Sequence, residues 1–378
     1  MEGNSINASN VVDKYKNEFL RYLKEHGGKL RKLFDSTESK YSYFETQLIE
    51  TLSTSLPEFI KKMSESRGIS PNIHAFCVED EFVNAFCFVV DKRYYIGIHT
   101  GVFVEIIRRT GLLANKLKDS HQWQFYKDKS ETELIAQLWL YSFQMVLSHE
   151  YMHIILGHCD VICENQAFLW ETAPLENETL AKFTEKEYQA LEMFADEFAA
   201  INMAGQILSK VDKDVDEIKY ALLNYYLAVL LVFSIFHNYQ PGTSTHPSLG
   251  IRMHSVILTV DDVIKKWLLL NKLDFDVEKI DGMISSFVEI VQQFPELFSF
   301  EILEDLSLLE ADKGYIELFN IAADIVKITN KKAIYPIEEF KKMDGNELEQ
   351  LNAERLILQY AFQAGLSYDE ACKLLPKT

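Results

Sequence analysis

Two histidines and a glutamate stand at a spacing that can bind a metal ion and use it. The sequence His149-Glu150-Tyr151-Met152-His153 is an H-E-x-x-H motif. In a helix, residues four apart lie on one face, one turn from each other, so both imidazoles can reach the same ion. Zinc is the metal such a pair typically binds, and a catalytic zinc site usually has three protein ligands. Glu150 stands beside the first ligand, where it is the candidate general base.

The third ligand has two candidate sources. One is a histidine on the same segment, in the pattern H-E-x-x-H-x-x-G-x-x-H. Here the glycine position is Leu156 and the last histidine position is Cys159. His158 is one residue early and, in a continuous helix, faces away from His149. We therefore expect His158 to be a helix-end residue near the negative end of the helix dipole. The other source is a carboxylate from a second helix.

Glu192 and Asp196 can supply that carboxylate. They are four residues apart, on one face of a predicted helix, and the alanines around them would let two helices approach closely. We assign Glu192 as the third ligand. Asp196 would then accept a hydrogen bond from the non-ligating nitrogen of His149 and fix its tautomer. The alternative is an exposed acidic face that also includes Glu197.

A third group of polar residues follows at His246-Pro247, with Arg252 six residues after the histidine. Proline suits the first position of a helix, so Pro247 predicts that His246 lies just ahead of one and can point into a cleft. From there His246 could donate to the oxyanion that forms when a peptide bond is attacked. Arg252 could bind a carboxylate, either Glu192 or Asp196, or the substrate.

Three long helices are predicted to carry or surround these residues. Capping boxes, Ser130 with Glu133 and Thr184 with Glu187, are helix-start signatures. The first helix is apolar nearly all round and has no proline, and no glycine before Gly157, which is typical of a central buried helix. The second is expected to end at about residue 209, and an apolar helix should follow at 217–237.

A small sheet is predicted ahead of the metal-binding helix. Short runs rich in β-branched and aromatic residues form three strand candidates: His74–Val78, Ala85–Val90 and Tyr94–His99. The flanking regions are mostly helical in pattern, so the predicted fold class is α+β, mainly α. We divide the chain into an N-terminal helical segment (1–70), a core (71–260) and a C-terminal helical domain (261–378).

The composition excludes one class of partner and favours one compartment. A net charge of −19 argues against nucleic-acid binding, which normally needs a basic surface. The five cysteines form no regular frame, as expected for reduced thiols in a cytoplasm. The N-terminus lacks the apolar core of a secretory signal. Ala221–Phe236 is apolar but shorter than the ~20 residues of a membrane span, and it contains Asn224, so we expect a buried core helix and no membrane.

The three groups of residues, taken in order, resemble the gluzincin metallopeptidases. The branch with HtpX and the CAAX prenyl protease carries H-E-x-x-H, then E-x-x-x-D, then His-Pro followed by arginine, and an Asn-Ala-Phe strand like Asn84-Ala85-Phe86 here. The segments around the first two motifs are also similar to soluble ImmA/IrrE-type peptidases, and the length and character of the chain to Lit-type phage-exclusion peptidases. The HtpX group is embedded in membranes, and this chain has at most one candidate span.

The resemblance implies a zincin-like core, in which the sheet packs on the H-E-x-x-H helix, with one zinc ion per chain. It also implies that an edge strand, either Ala85–Val90 or Tyr94–His99, binds the substrate backbone by strand addition. The sequence leaves this choice open.

Together these features predict a soluble zinc endopeptidase that cleaves an intracellular protein or peptide. Zinc would activate the water, Glu150 would take its proton, and zinc and His246 would stabilise the oxyanion. By analogy with the family, the enzyme would serve phage defence or act as a toxin-like peptidase, inactive until a trigger or regulatory protein acts. The alternatives are a non-catalytic, zinc-stabilised protein-binding module and a membrane-anchored HtpX-like protease.

Overall fold

The protein is mainly helical, with one small mixed sheet packed against the helices, as the predicted fold class requires. The computed structural model describes residues 8–26, 31–70, 72–119, 126, 129–162, 169–170, 183–210, 215–239, 245–271, 278–298, 308–329 and 331–334. Cys163, Cys372 and the part of the predicted C-terminal domain after residue 334 lie outside the described residues. The described cysteines are Cys77, Cys87 and Cys159, and all three are buried.

The three long helices that were predicted around the site match their predicted segments closely. Described helices are α1 Ala8–His26, α2 Tyr43–Glu65, α3 Thr100–Asp119, α4 Glu131–Ile155, α5 His158–Ile162, α6 Glu185–Leu208, α7 Val215–Asn238, α8 Leu249–Asn271, α9 Glu278–Gln293, α10 Pro295–Phe298 and α11 Leu308–Thr329. Both expected N-caps are present, and the second of them forms the full capping box. Ser130 accepts from the Glu133 amide at the start of α4, and Thr184 with Glu187 forms a reciprocal capping box at the start of α6.

The sheet contains the three predicted strands and a short fourth one. The strands are β1 Ile73–Val78, β2 Ala85–Val90, β3 Arg93–His99 and the two-residue β4 Leu169–Trp170, in the order β1-β3-β2-β4. β1 runs parallel to β3, whereas β2 runs antiparallel to both β3 and β4. The tight connection from β2 to β3 places Asp91 and Lys92 at positive φ, as two-residue hairpin turns require.

The two faces of β2 pack against different parts of the protein. Side chains alternate along a strand, so Phe86 and Phe88 share one face, where both stack on Phe19 of α1. Cys87 lies on the other face, with its Sγ 3.0 Å from Sγ of Cys159 in α5. The N-terminal helix therefore covers one side of the sheet, and the end of the metal-binding segment lies on the other.

Helix α4 is the central helix that its composition predicted. Every residue from Ser142 to Ile155 is buried, and the helix packs on α3, α6, α7 and β2. Because it is surrounded by protein, its polar residues are held in a closed, low-dielectric environment. The helix ends at Ile155, and Gly157 follows with φ of +78°, a left-handed conformation that suits glycine.

The apolar helix α7 also lies within the protein. Among the described residues, the segment Asp216–Asn238 is long and apolar enough to cross a membrane by length and composition alone, and 89% of its most apolar window is buried inside the protein. A buried helix is what we expected at Ala221–Phe236. The compartment of the protein stays a prediction.

The predicted boundary between the core and the C-terminal domain, at residue 260, lies inside helix α8, which is continuous there. Helix α11, from the predicted C-terminal domain, packs on α6 and α8. The division into three parts stays a prediction.

Candidate metal centre

The helical spacing of α4 brings His149 and His153 together. Their Nε2 atoms are 2.9 Å apart, and the ring centroids are separated by 4.6 Å. Glu150, between them in sequence, is also buried. Two imidazole nitrogens this close in a buried site are hard to accommodate unless a proton or a metal ion lies between them.

Glu192 of α6 completes a group that could hold a metal ion. Its Oε2 lies 3.1 Å from Nε2 of His149 and 3.3 Å from Nε2 of His153. Among the described residues, these three side chains form the one group of His, Cys, Asp or Glu whose ligand atoms all lie within 4.8 Å of one another. Two imidazole nitrogens and one carboxylate oxygen are a donor set of catalytic zinc sites, so the residues fit zinc.

The electrostatics of Glu192 favour the ionised form that a metal ligand needs. Burial alone would raise the pKa of its carboxyl group. The neighbouring His153 and His246, together with the hydrogen bonds from His149 and His153, outweigh burial and hold that pKa well below its usual value. Glu192 is therefore an ionised carboxylate next to the imidazoles with which it could bind a metal ion.

Asp196, one turn after Glu192, lies behind His149 rather than beside the metal group. Its Oδ1 is 2.8 Å from Nδ1 of His149, the nitrogen that faces away from Glu192. Arg252 of α8 binds the same carboxylate in a bidentate manner, with Nε to Oδ2 at 2.7 Å and a second bond of 2.9 Å to Oδ1. The guanidinium group also lies 4.0 Å over the ring of Phe233. Of the three partners that the sequence left open for Arg252, the structure pairs it with Asp196.

Burial would raise the pKa of Asp196, but Arg252 and His149 hold it below its usual value. The carboxylate is therefore ionised at neutral pH and can accept the Nδ1–H of His149. This is the contact that the sequence analysis expected. The roles of Asp196 and Arg252 in metal binding stay predictions.

His246 lies at the same centre, on the segment that leads into α8. Its Nε2 is 3.1 Å from Oε2 of Glu192, and its Nδ1 is 3.1 Å from Oγ1 of Thr245. The helix starts two residues later than Pro247 suggested, because the Ser248 side chain and carbonyl accept the first helical amides. His246 thus contacts the ligand carboxylate, and its role towards an oxyanion stays a prediction.

His158 is the residue that the sequence analysis misplaced. We expected it at the end of the metal-binding helix, facing away from the site. Instead α4 ends at Ile155, the chain turns at Gly157, and His158 begins α5 with its Nδ1 2.9 Å from Nδ1 of His153. Burial, and then the nearby His153, hold the pKa of His158 well below its usual value, so the ring is neutral. The Leu156-Gly157 pair was the available sequence signal, because glycine often ends a helix.

The sheet order excludes one of the two candidate substrate strands, and substrate binding by the other stays a prediction. β3 lies between β1 and β2, so both of its edges are paired and Tyr94–His99 cannot accept an added strand. β2 pairs with β3 on one side. On its outer side it pairs with β4 through Phe86 and Cys87 only, within the part of the chain that the structure describes. Asn84, just before β2, is buried, and its carbonyl accepts the His99 amide at 3.0 Å. Ala85 opens the strand.

Comparison with known proteins identifies a similarity to a peptidase family. Residues 113–264 match the family described as Peptidase U49, which is the Lit-type peptidase family. The matched segment is about two fifths of the chain and includes all three groups of predicted site residues, from His149 to Arg252. Strands β1, β2 and β3 lie outside it, whereas β4 lies within it. Neither the curated proteins nor the solved structures gave a match.

Proposed function

We propose that this protein is a zinc-dependent endopeptidase that hydrolyses peptide bonds of an intracellular protein. One observation carries the proposal: the side chains of His149, His153 and Glu192 converge within metal-binding distance, with Glu150 in the same H-E-x-x-H turn. The match of this segment to a peptidase family supports the same chemistry. The donor atoms suit zinc, which is the metal we propose, at one ion per chain.

Zinc bound by this group would supply a Lewis acid for water and for the scissile carbonyl. The protein's own residues would move the protons. Glu150 takes a proton from the attacking water and gives it to the leaving amine. Asp196 holds the Nδ1 proton of His149, so that Nε2 keeps its lone pair for the metal. His246 donates to the oxyanion. The substrate backbone adds as a strand to the outer edge of β2, the edge at which Phe86 and Cys87 pair with β4 in this structure.

The burial of the site supports regulation by a trigger. Glu150 is only 1% exposed and Glu192 3%, so a polypeptide cannot reach them unless the covering elements move. We propose a cytoplasmic peptidase that stays closed until a regulatory protein or other trigger opens it, in phage defence or a toxin-like role. If the purified wild-type protein cleaves many unrelated proteins without any added factor, this part of the proposal is wrong.

The chemistry is tested by Glu150→Gln, which removes the base but keeps the size of the side chain. We expect the variant to bind one zinc per chain, measured by elemental analysis, and to lose cleavage by at least a factor of about 100. Glu185→Gln makes the same change at an exposed position on the helix that carries Glu192 and should cleave like wild type. Undiminished proteolysis by Glu150→Gln would disprove the mechanism.

The substrate is sought by comparing cells that express wild type with cells that express Glu150→Gln, under conditions that include phage infection. New protein termini that occur only with wild type identify the cleaved protein and the bond. If wild type produces none under any condition, while zinc binding is normal, the peptidase function is rejected.

The burial of Glu150 and Glu192 also favours a second function. Structural zinc sites are closed and need no access for a substrate. In that reading the protein is a non-catalytic binding module, and zinc only holds the fold. Glu150→Gln would then leave partner binding and every cellular effect of the protein unchanged, whereas the peptidase proposal expects the effect to disappear.

A further inference from the structure

The turn after the metal-binding helix brings a third histidine onto the far side of His153. His158 is 1% exposed, and its Nδ1 lies 2.9 Å from Nδ1 of His153, with the ring centroids 5.1 Å apart. The Nε2 of His153 points the other way, towards His149 and Glu192. His158 therefore contacts the ring edge of His153 that faces away from the candidate metal ligands.

This geometry determines how the proton must be placed when a metal binds. A neutral imidazole that offers its Nε2 lone pair to a metal carries its proton on Nδ1. Nδ1 of His158, 2.9 Å away, can accept that N–H of His153 when it is itself unprotonated. His158 would consequently carry its own proton on Nε2. The contact between His153 and His158 thus corresponds to the contact between His149 and Asp196, in which Nδ1 of His149 lies 2.8 Å from the carboxylate.

We propose that His158 is a positioning residue, which accepts the Nδ1–H of His153 and so holds that ring in the tautomer and orientation that a metal ligand needs. The inference rests on the proposed metal site. His149 and His153 would then be supported by different groups, a carboxylate and a neutral imidazole. His158 is not itself a ligand in this arrangement, since the group of described residues that could hold a metal does not include it.

The surrounding packing holds His158 in place. A Cβ added to Gly157 would lie 2.6 Å from the Thr329 carbonyl oxygen and 2.7 Å from the Ala333 amide nitrogen, so the C-terminal segment packs directly on the turn. The amide of Ile334 also donates to the carbonyl of Ile155, the last residue of α4, at 3.0 Å. These C-terminal residues lie outside the segment that matches the peptidase family. They pack the turn from which His158 reaches His153.

The test compares two substitutions in the full-length protein. His158→Leu replaces the imidazole with an apolar side chain of similar reach that has no acceptor. His158→Asn can place its Oδ1 near the position of the imidazole Nδ1. Zinc affinity is measured by competition with a chelator, the visible spectrum is recorded with cobalt in place of zinc, and thermal unfolding of the metal-free protein checks the fold. Exposed His237, changed to leucine, is the matched control.

We expect His158→Leu to weaken zinc binding about 10- to 100-fold and to alter the cobalt spectrum, the usual effect of removing a partner of a metal-ligating histidine. His158→Asn should recover most of the affinity, and His237→Leu should bind like wild type. If His158→Leu folds and binds zinc as tightly as wild type, the inference is wrong. Equal losses in the asparagine and leucine variants would mean that the ring acts only by packing. If wild type itself binds no metal, the proposed function fails first.

Discussion

Removal of Arg252 should destabilise the protein by leaving a buried carboxylate without its main counter-charge. Asp196 is fully buried and receives two bonds from the guanidinium group. Breaking a buried ion pair by deleting one partner costs about 3–5 kcal/mol. Loss of the contact with the Phe233 ring adds about 0.5–2 kcal/mol. We therefore expect Arg252→Met to lower the free energy of unfolding by at least about 3.5 kcal/mol at neutral pH.

The stability lost in the Arg252→Met variant should depend on pH in a defined direction. In wild type the pKa of Asp196 is below its usual value, so its ionised form contributes stability above about pH 4, and this is lost as the pH falls through the folded-state pKa. Without Arg252 burial dominates and raises that pKa. The variant then loses stability as the pH rises through the new value. The difference in unfolding free energy between wild type and variant should be largest near neutral pH and should shrink towards pH 4.

Urea unfolding of the metal-free proteins, followed by circular dichroism at several pH values, measures this difference. Arg108→Met is the matched control, because the Arg108 side chain is 58% exposed and its pair with Glu105 should contribute no more than about 1 kcal/mol. The double variant Arg252→Met/Asp196→Leu should regain most of the lost stability, since no buried charge remains unpaired. A double variant as unstable as the sum of the two single variants would refute the explanation.

Three further predictions concern the metal, an acid-sensitive histidine and a helix cap. A chelator should lower the unfolding temperature, because zinc at 1,000 times its dissociation constant stabilises a folded protein by about 4 kcal/mol; an unchanged unfolding temperature would argue against a bound metal. Burial lowers the pKa of His99 to about 4 in the folded protein. As the pH falls from 6.5 to 4, the unfolded chain therefore binds a proton at this histidine before the folded protein does, and the free energy of unfolding decreases by about 3 kcal/mol. His99→Asn should lose less stability over that range in urea unfolding, and equal acid sensitivity would contradict the assignment. Thr184→Ala removes the N-cap of α6 and should cost about 1 kcal/mol in the same assay, whereas a value near zero would show that the capping box contributes little.

Several features of the fold follow from interactions between residues close in sequence. Ser130 and Thr184 start helices where their capping patterns predict, and the strand candidates lie within one residue of β1, β2 and β3. These signals are reliable because they depend on backbone hydrogen bonds and side-chain periodicity over a few residues. The same short-range geometry places His149 beside His153.

Long-range packing decided what these local patterns left open. The sequence offered Arg252 three partners, and the structure pairs it with Asp196, 56 residues away. It also offered two strands for the substrate. The sheet order rules out β3 as the substrate strand, because β1 pairs with it in parallel and covers its second edge. No local pattern encodes this contact. His158 was misplaced because a helical projection assumes that the helix continues, whereas it ends before Gly157.

By itself, then, the sequence determined the chemistry of the site: which side chains carry imidazole and carboxylate groups, and which of them share a helical face. Only the tertiary structure decided the contacts of those groups. It directs Nε2 of His149 and His153 towards Glu192, and their Nδ1 atoms towards Asp196 and His158. The physical reason is that the spacing of residues along one helix depends on its backbone geometry alone, whereas the orientation of a ring depends on what the neighbouring helices place against it.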